Sequence, residues 1–178
     1  MPHITVPHQR PGIRGLMASK PSSGRALSEL AEQLLRGESP LTAGERELIA
    51  AFVSARNETR YCTGSHSAAA AHTLSGGDYT VVDAVKRDLA TAPVSEKMRA
   101  LLELAGRVQI SGLAVTDEHI AAAHAAGADD ETIHDTVLIA SAFCMFNRYV
   151  DGLAAITPDD PAVYDEIGES LAAKGYLP

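Results

Sequence analysis

Nowhere along the 178 residues does an alternation of β-branched or aromatic side chains last five positions, whereas apolar residues keep returning every three or four. That spacing matches the 3.6-residue period of a helix and not the two-residue period of a strand. The chain is therefore expected to be all-α. Its amino-acid use agrees, with abundant Ala and Leu, no Trp, and aromatic residues at only 4%.

Start and stop signals divide the sequence into helices. A first helix is expected from about Arg25 to Arg36, ended by Gly37, and a second opens with the capping box Thr42-Ala-Gly-Glu45. Leu48, Ile49, Phe52 and Val53 mark one face of the second. The third, about Tyr61 to Leu74, is small and apolar through Ala68 to Ala71 and stops at Ser75-Gly76-Gly77, which suits tight packing against a neighbouring helix or subunit. Further helices are expected over Asp78 to Ala90, Ser95 to Ile110, Thr116 to Ala126 and Asp129 to about Leu153, with a terminal one beyond Pro158 to Pro161 that ends near Lys174. In the long helix Ile133, Val137, Ala140 and Cys144 line up as an apolar seam.

At this length a single core that buries roughly 70% of the unfolded surface is the default. Residues 1 to 24 carry four of the nine prolines and read as an extended arm able to wrap a neighbour, with a helical domain over 25 to 157 and a C-terminal helical extension over 158 to 178. Lys and Arg number 15 against 23 Asp and Glu, a formal charge of −8, which argues against nucleic-acid or anionic-membrane partners. Two cysteines cannot build a disulfide framework, and residues 1 to 25 hold no apolar stretch of signal-peptide length. A reducing, cytoplasmic setting is the expectation. No run of about 18 apolar residues is present to span a membrane.

Chemistry concentrates between Glu47 and His66. Cys62 and His66 are four residues apart, so one helix puts them on the same face with Cβ atoms roughly 5 to 6 Å apart. Asn57-Glu58-Thr59-Arg60 reads as the break between two helices, which places Cys62 in a first turn, where the helix dipole favours a thiolate. Glu47 stands early in the preceding helix, beyond direct reach of Cys62 in a simple hairpin unless the helices cross at a skew.

Arg46-Glu47-Leu-Ile-Ala-Ala-Phe-Val-Ser-Ala-Arg-Asn57, followed by Tyr61-Cys62 and His66, resembles the carboxymuconolactone decarboxylase and alkylhydroperoxidase D superfamily, and within it the peroxidase-related members. The likeness extends to Leu34-Leu35-Arg36-Gly37, to Asp83 to Asp88, to Ser95-Glu-Lys-Met and to Phe146-Asn147-Arg148-Tyr-Val-Asp151-Gly, covering about residues 10 to 176. It implies an alkylhydroperoxidase D-like helical bundle that assembles as a homo-oligomer: a dimer, trimer or hexamer. In that family's peroxidases a helical glutamate precedes Cys-x-x-Cys and a histidine. Glu47, Cys62 and His66 fall on the glutamate, the second cysteine and the histidine, while Thr59 occupies the place of the first cysteine.

The resemblance thus implies a thiol-dependent peroxidase acting on a small organic hydroperoxide, with Cys62 as nucleophile and His66 and Glu47 as proton relay. A single thiol can reach a sulfenic acid but needs an external thiol or reductant protein to return. Thr59, three residues upstream, is placed to hydrogen-bond the thiolate or a peroxide oxygen. No cofactor and no metal is called for. Other readings stay open: a non-redox enzyme resembling the lactone decarboxylases, with His66 or Glu47 as general base, or a non-catalytic ligand-binding oligomer. Residue by residue the plain alternatives are a buried apolar Cys62, a His66 bonded to a carbonyl and a Glu47 solvated beside Glu45 and Arg46. Cys144 reads as core and His72 as structural or at a subunit contact. Glu47, Cys62, His66 and His72 are also ligand types that a zinc ion takes.

Overall fold

The computed structural model describes residues 1–177 and is helical throughout. Among the described residues nine α-helices follow one another, with short 3-10 turns at Pro7–Gln9 and Gly112–Ala114: α1 (Gly12–Ser19), α2 (Pro21–Arg36), α3 (Ala43–Arg56), α4 (Arg60–Ser75), α5 (Thr80–Arg87), α6 (Glu96–Ile110), α7 (Asp117–Ala125), α8 (Asp130–Gly152) and α9 (Pro161–Lys174). Their ends follow the local signals. The Thr42 hydroxyl accepts from the Glu45 N–H while the Glu45 carboxylate accepts from the Thr42 N–H, a complete capping box. Ser95 and Asp129 cap α6 and α8 more simply, each side chain accepting from one backbone N–H, that of Met98 and of Thr132. Gly76 ends α4 in the left-handed conformation, at φ 63°.

The centre is the α3/α4 hairpin. From Arg46 to Ser54 every residue of α3 is buried, so this helix is enclosed by others on all sides and not merely on one stripe. Leu35, Leu48, Ile49, Val53, Leu101, Leu102, Ile139 and Phe143 make the main core with α2, α6 and α8 packed around it. Arg46, only 5% exposed, donates to the carbonyls of Leu34 and Gly37 and so satisfies the C-terminal end of α2 from within.

The small face of α4 receives α9. A Cβ on Gly168 would sit 2.3 Å from Ala68 Cβ and 2.5 Å from its backbone carbon, so the two helix backbones touch. The alanine run, for which an intersubunit contact was one expectation, thus meets the chain's own last helix. His72 fastens the pair through Asp165 at 3.0 Å.

Two expectations change. Residues 1 to 24 are not an extended arm: they hold α1 and the start of α2, and Leu16 is completely buried against Tyr61, Cys62 and Val150. The prolines misled because Pro11 sits at an N-cap and Pro21 at the first turn, where a missing N–H costs nothing. The seam of α8 is also rotated. Thr136, Ile139, Phe143, Phe146 and Val150 are buried while Cys144 is only partly so. Thr136 can be buried because its hydroxyl donates to the Thr132 carbonyl at 2.8 Å, an outlet that a purely apolar count overlooks. Among the described residues no helix is long and apolar enough to cross a membrane.

Candidate functional site

Glu47 lies one turn into α3 with no solvent exposure at all. An isolated carboxylate there would cost several kcal/mol, about enough to unfold a small domain, so its partners decide its state. It has three. His66 Nδ1 from α4 is 2.8 Å from Oε2, an Arg36 nitrogen from the end of α2 is 2.7 Å from Oε1, and the Tyr176 hydroxyl from the C-terminal segment donates to Oε1 at 2.6 Å. Burial pushes the Glu47 carboxyl up, but the His66 hydrogen bond, the charges of His66 and Arg36 and the Tyr176 hydrogen bond outweigh it and hold it below the usual range. Glu47 is thus an anion in a dry site.

An anionic Glu47 orients His66. With Oε2 as acceptor, Nδ1 carries a proton, which leaves Nε2, on the edge away from Glu47, as the nitrogen that can take up or release a second one. Phe143 meets the imidazole edge to face at 4.6 Å between centroids and fixes its plane. Tyr176 lies nearly parallel to it, 9° between planes, beneath the Arg36 guanidinium at 5.2 Å. The Tyr176 hydroxyl is held protonated by burial and by the charge of Glu47.

Cys62 sits in the first turn of α4, as its sequence position indicates, yet it is not an activated thiolate. Only 2% of the residue is exposed, and burial pushes the thiol up to about 12, opposed by a hydrogen bond from Asn147 and reinforced by the charge of Asp151. Desolvation outweighs the helix dipole here, because Leu16, Tyr61 and Val150 close over the sulfur. Asn147 in turn accepts from Asn57 at 2.8 Å and donates to Ser54 at 3.1 Å, tying the α3/α4 junction to α8.

Thr59 is the N-cap of α4 and fully buried, and its hydroxyl donates to the Asp151 carboxylate at 2.5 Å. That proton is committed to α8 and not to the thiol, which alters the arrangement expected from its place three residues before Cys62. Glu47 likewise meets His66 one turn farther along α4, and not Cys62. Among the described residues no group of three or more His, Cys, Asp and Glu side chains is placed to hold a metal ion.

Cys62 and His66, both largely buried, line one cavity of about 560 Å3, walled by α1, α2, α4, α8, α9 and Tyr176. That volume is in the usual range of about 300 to 1,000 Å3 for small-molecule sites. Arg36, Asn147 and Asp151 lie inside segments that carry the family resemblance, so a signal for them exists in the sequence. Tyr176 had none: it arrives from 110 residues beyond His66.

The model of the carboxymuconolactone decarboxylase family matches residues 21–74, a span that includes Arg36, Glu47, Thr59, Cys62 and His66. No curated protein matches the chain. Among solved structures, the chain is similar to the alkylhydroperoxidase AhpD core of an uncharacterized peroxidase-related protein from Ralstonia eutropha JMP134, at 26% identity and TM-score 0.78, covering 89% of this chain and 81% of that one. It is similar, again at 26% identity and TM-score 0.78, to an uncharacterized peroxidase-related protein from Silicibacter sp. TM1040, over 87% of this chain and 78% of that one.

Proposed function

Since this chain is a member of the carboxymuconolactone decarboxylase and alkylhydroperoxidase D-like superfamily, we propose that it reduces small organic hydroperoxides through Cys62, with His66 and Glu47 handling the proton. The observation that carries this reading is the Glu47–His66 pair buried beside a thiol on the wall of one cavity. A protonated Cys62 needs a base at the moment of attack, and His66 Nε2 is the acceptor that Glu47 leaves open. In the step, His66 takes the thiol proton, sulfur attacks the terminal peroxide oxygen, and the O–O bond breaks. The alcohol leaves with the proton from His66, and Cys62 becomes a sulfenic acid.

Return to the thiol needs two equivalents of an external thiol. The first forms a mixed disulfide with loss of water; the second releases Cys62 and the external disulfide. Thr59 at the place of the first motif cysteine removes a resolving partner from that position, which supports an outside reductant. Intact-mass analysis after brief exposure to cumene hydroperoxide tests the proposal. One added oxygen or a thiol adduct on the parent, absent from Cys62→Ser and slowed at least about tenfold in His66→Ala, supports it. An unchanged mass in the parent sinks it.

The raised thiol favours one other reading, a non-redox reaction in which His66 is a general base on a lactone or similar carbonyl compound and Cys62 is only packing. Lactone turnover retained in Cys62→Ser and lost in His66→Ala would select that reading.

A further inference from the structure

The charged groups that line the cavity are Arg10, Arg14, Arg25 and Lys174, and no Asp or Glu is among the lining residues. In a chain with 23 acidic against 15 basic residues, an unselected surface would lean the other way. None of the four makes an ion pair within the described residues, where the pairs formed use Arg36, Arg60, Lys86 and four histidines. Burial raises the Tyr61 hydroxyl, next in sequence to Cys62, and the charge of the exposed Arg14 opposes that rise. Deeper in, Ile13, Met17, Phe143, Phe146, Ile167 and Leu171 give the cavity an apolar wall. Three carboxylates lie near the lining without being part of it, and each is engaged: Glu47 with Arg36 and His66, Asp151 with the Thr59 hydroxyl, and Glu32 with the backbone N–H of Tyr176.

Four unpaired cations at the mouth and an apolar body behind them form a two-part receptor. We infer that the cavity binds a small amphipathic acid, its hydrocarbon portion against Phe143 and Phe146 and its carboxylate held at the mouth by Arg10, Arg14, Arg25 and Lys174. Guanidinium groups suit a carboxylate because they donate two parallel hydrogen bonds to it. The inference rests on the cavity being the substrate site, and it narrows the proposed substrate to a hydroperoxide that carries a carboxylate at its far end.

Calorimetric titration of Cys62→Ser with decanoate, decanol and decyltrimethylammonium tests it without any turnover. Expected is saturable binding of one decanoate per chain, about tenfold or more tighter than decanol, weakening as salt rises, with the cation weakest. Arg14→Gln with Arg25→Gln, both exposed positions, is expected to weaken decanoate about fivefold or more and leave decanol unchanged. Equal binding of decanoate and decanol, no saturable binding of any probe, or an indifferent double variant overturns the inference. Because the thiol is absent from this experiment, acid binding beside a parent inert to peroxide defeats only the peroxidase reading. Peroxide turnover without acid preference defeats only this one.

Discussion

Glu47→Gln isolates the electrostatic core of the site with little change in volume. The parent carboxylate has no exposure and is contacted by Arg36 at 2.7 Å, His66 at 2.8 Å and Tyr176 at 2.6 Å. The amide oxygen can still accept from Tyr176, but Arg36, with 13% of its side chain exposed, loses its counter-charge. Removing one partner of a buried pair costs about 3 to 5 kcal/mol, and each kcal/mol lowers Tm by about 2 to 4 °C in a domain of this size, so a fall of roughly 6 to 20 °C is expected at pH 7. Urea unfolding followed by circular dichroism measures the loss directly, with an unchanged slope showing that compactness is kept. The pH dependence supplies the sign. A carboxyl held below its ordinary 4.5 stabilises the fold above that value, and the contribution disappears as pH falls through the folded-state value. The gap between parent and variant therefore closes in acid. A loss below about 1 kcal/mol at pH 7, or a gap that stays constant down to acid pH, refutes the dry, charge-paired description of Glu47.

Tyr176→Phe keeps the ring over His66 and removes one hydrogen bond to a charged acceptor, so a destabilisation of about 1.5 to 3 kcal/mol is expected in the same urea experiment. Cys62 titrates near 12 against an ordinary 9.0, which leaves roughly a thousandfold less thiolate at neutral pH than a free thiol has. Iodoacetamide should then modify it far more slowly than a model thiol, accelerating about tenfold per pH unit up to pH 10; labelling at the model-thiol rate at pH 7 contradicts the burial. Gly168→Ala forces a methyl into Ala68 at 2.3 Å and should cost about 1 to 3 kcal/mol as α9 is pushed off α4, whereas Gly152→Ala, with open space around it, should cost far less.

Helix order and most boundaries were legible in the sequence because their causes are local. Thr42 with Glu45, Ser95, Asp129 and Gly76 act within a turn of themselves, and the period of the apolar residues needs no knowledge of the partner. Cys62 and His66 on one face of α4 followed from four-residue spacing alone, and the family from Glu47, Cys62 and His66 taken with their flanks. Local reasoning failed where the same residues serve two structures, as with Pro11 and Pro21, which suit an extended arm and a helix start equally well. Only the tertiary structure decided the chemistry at the centre. Whether Glu47 is a solvated surface charge or a buried anion depends on α2 delivering Arg36 and the C-terminal segment delivering Tyr176. Whether Cys62 is activated depends on α1 and α8 closing over it, so that desolvation outweighs the helix dipole. Both are long-range balances between burial and pairing, and no residue carries in its own neighbourhood the sign of that balance.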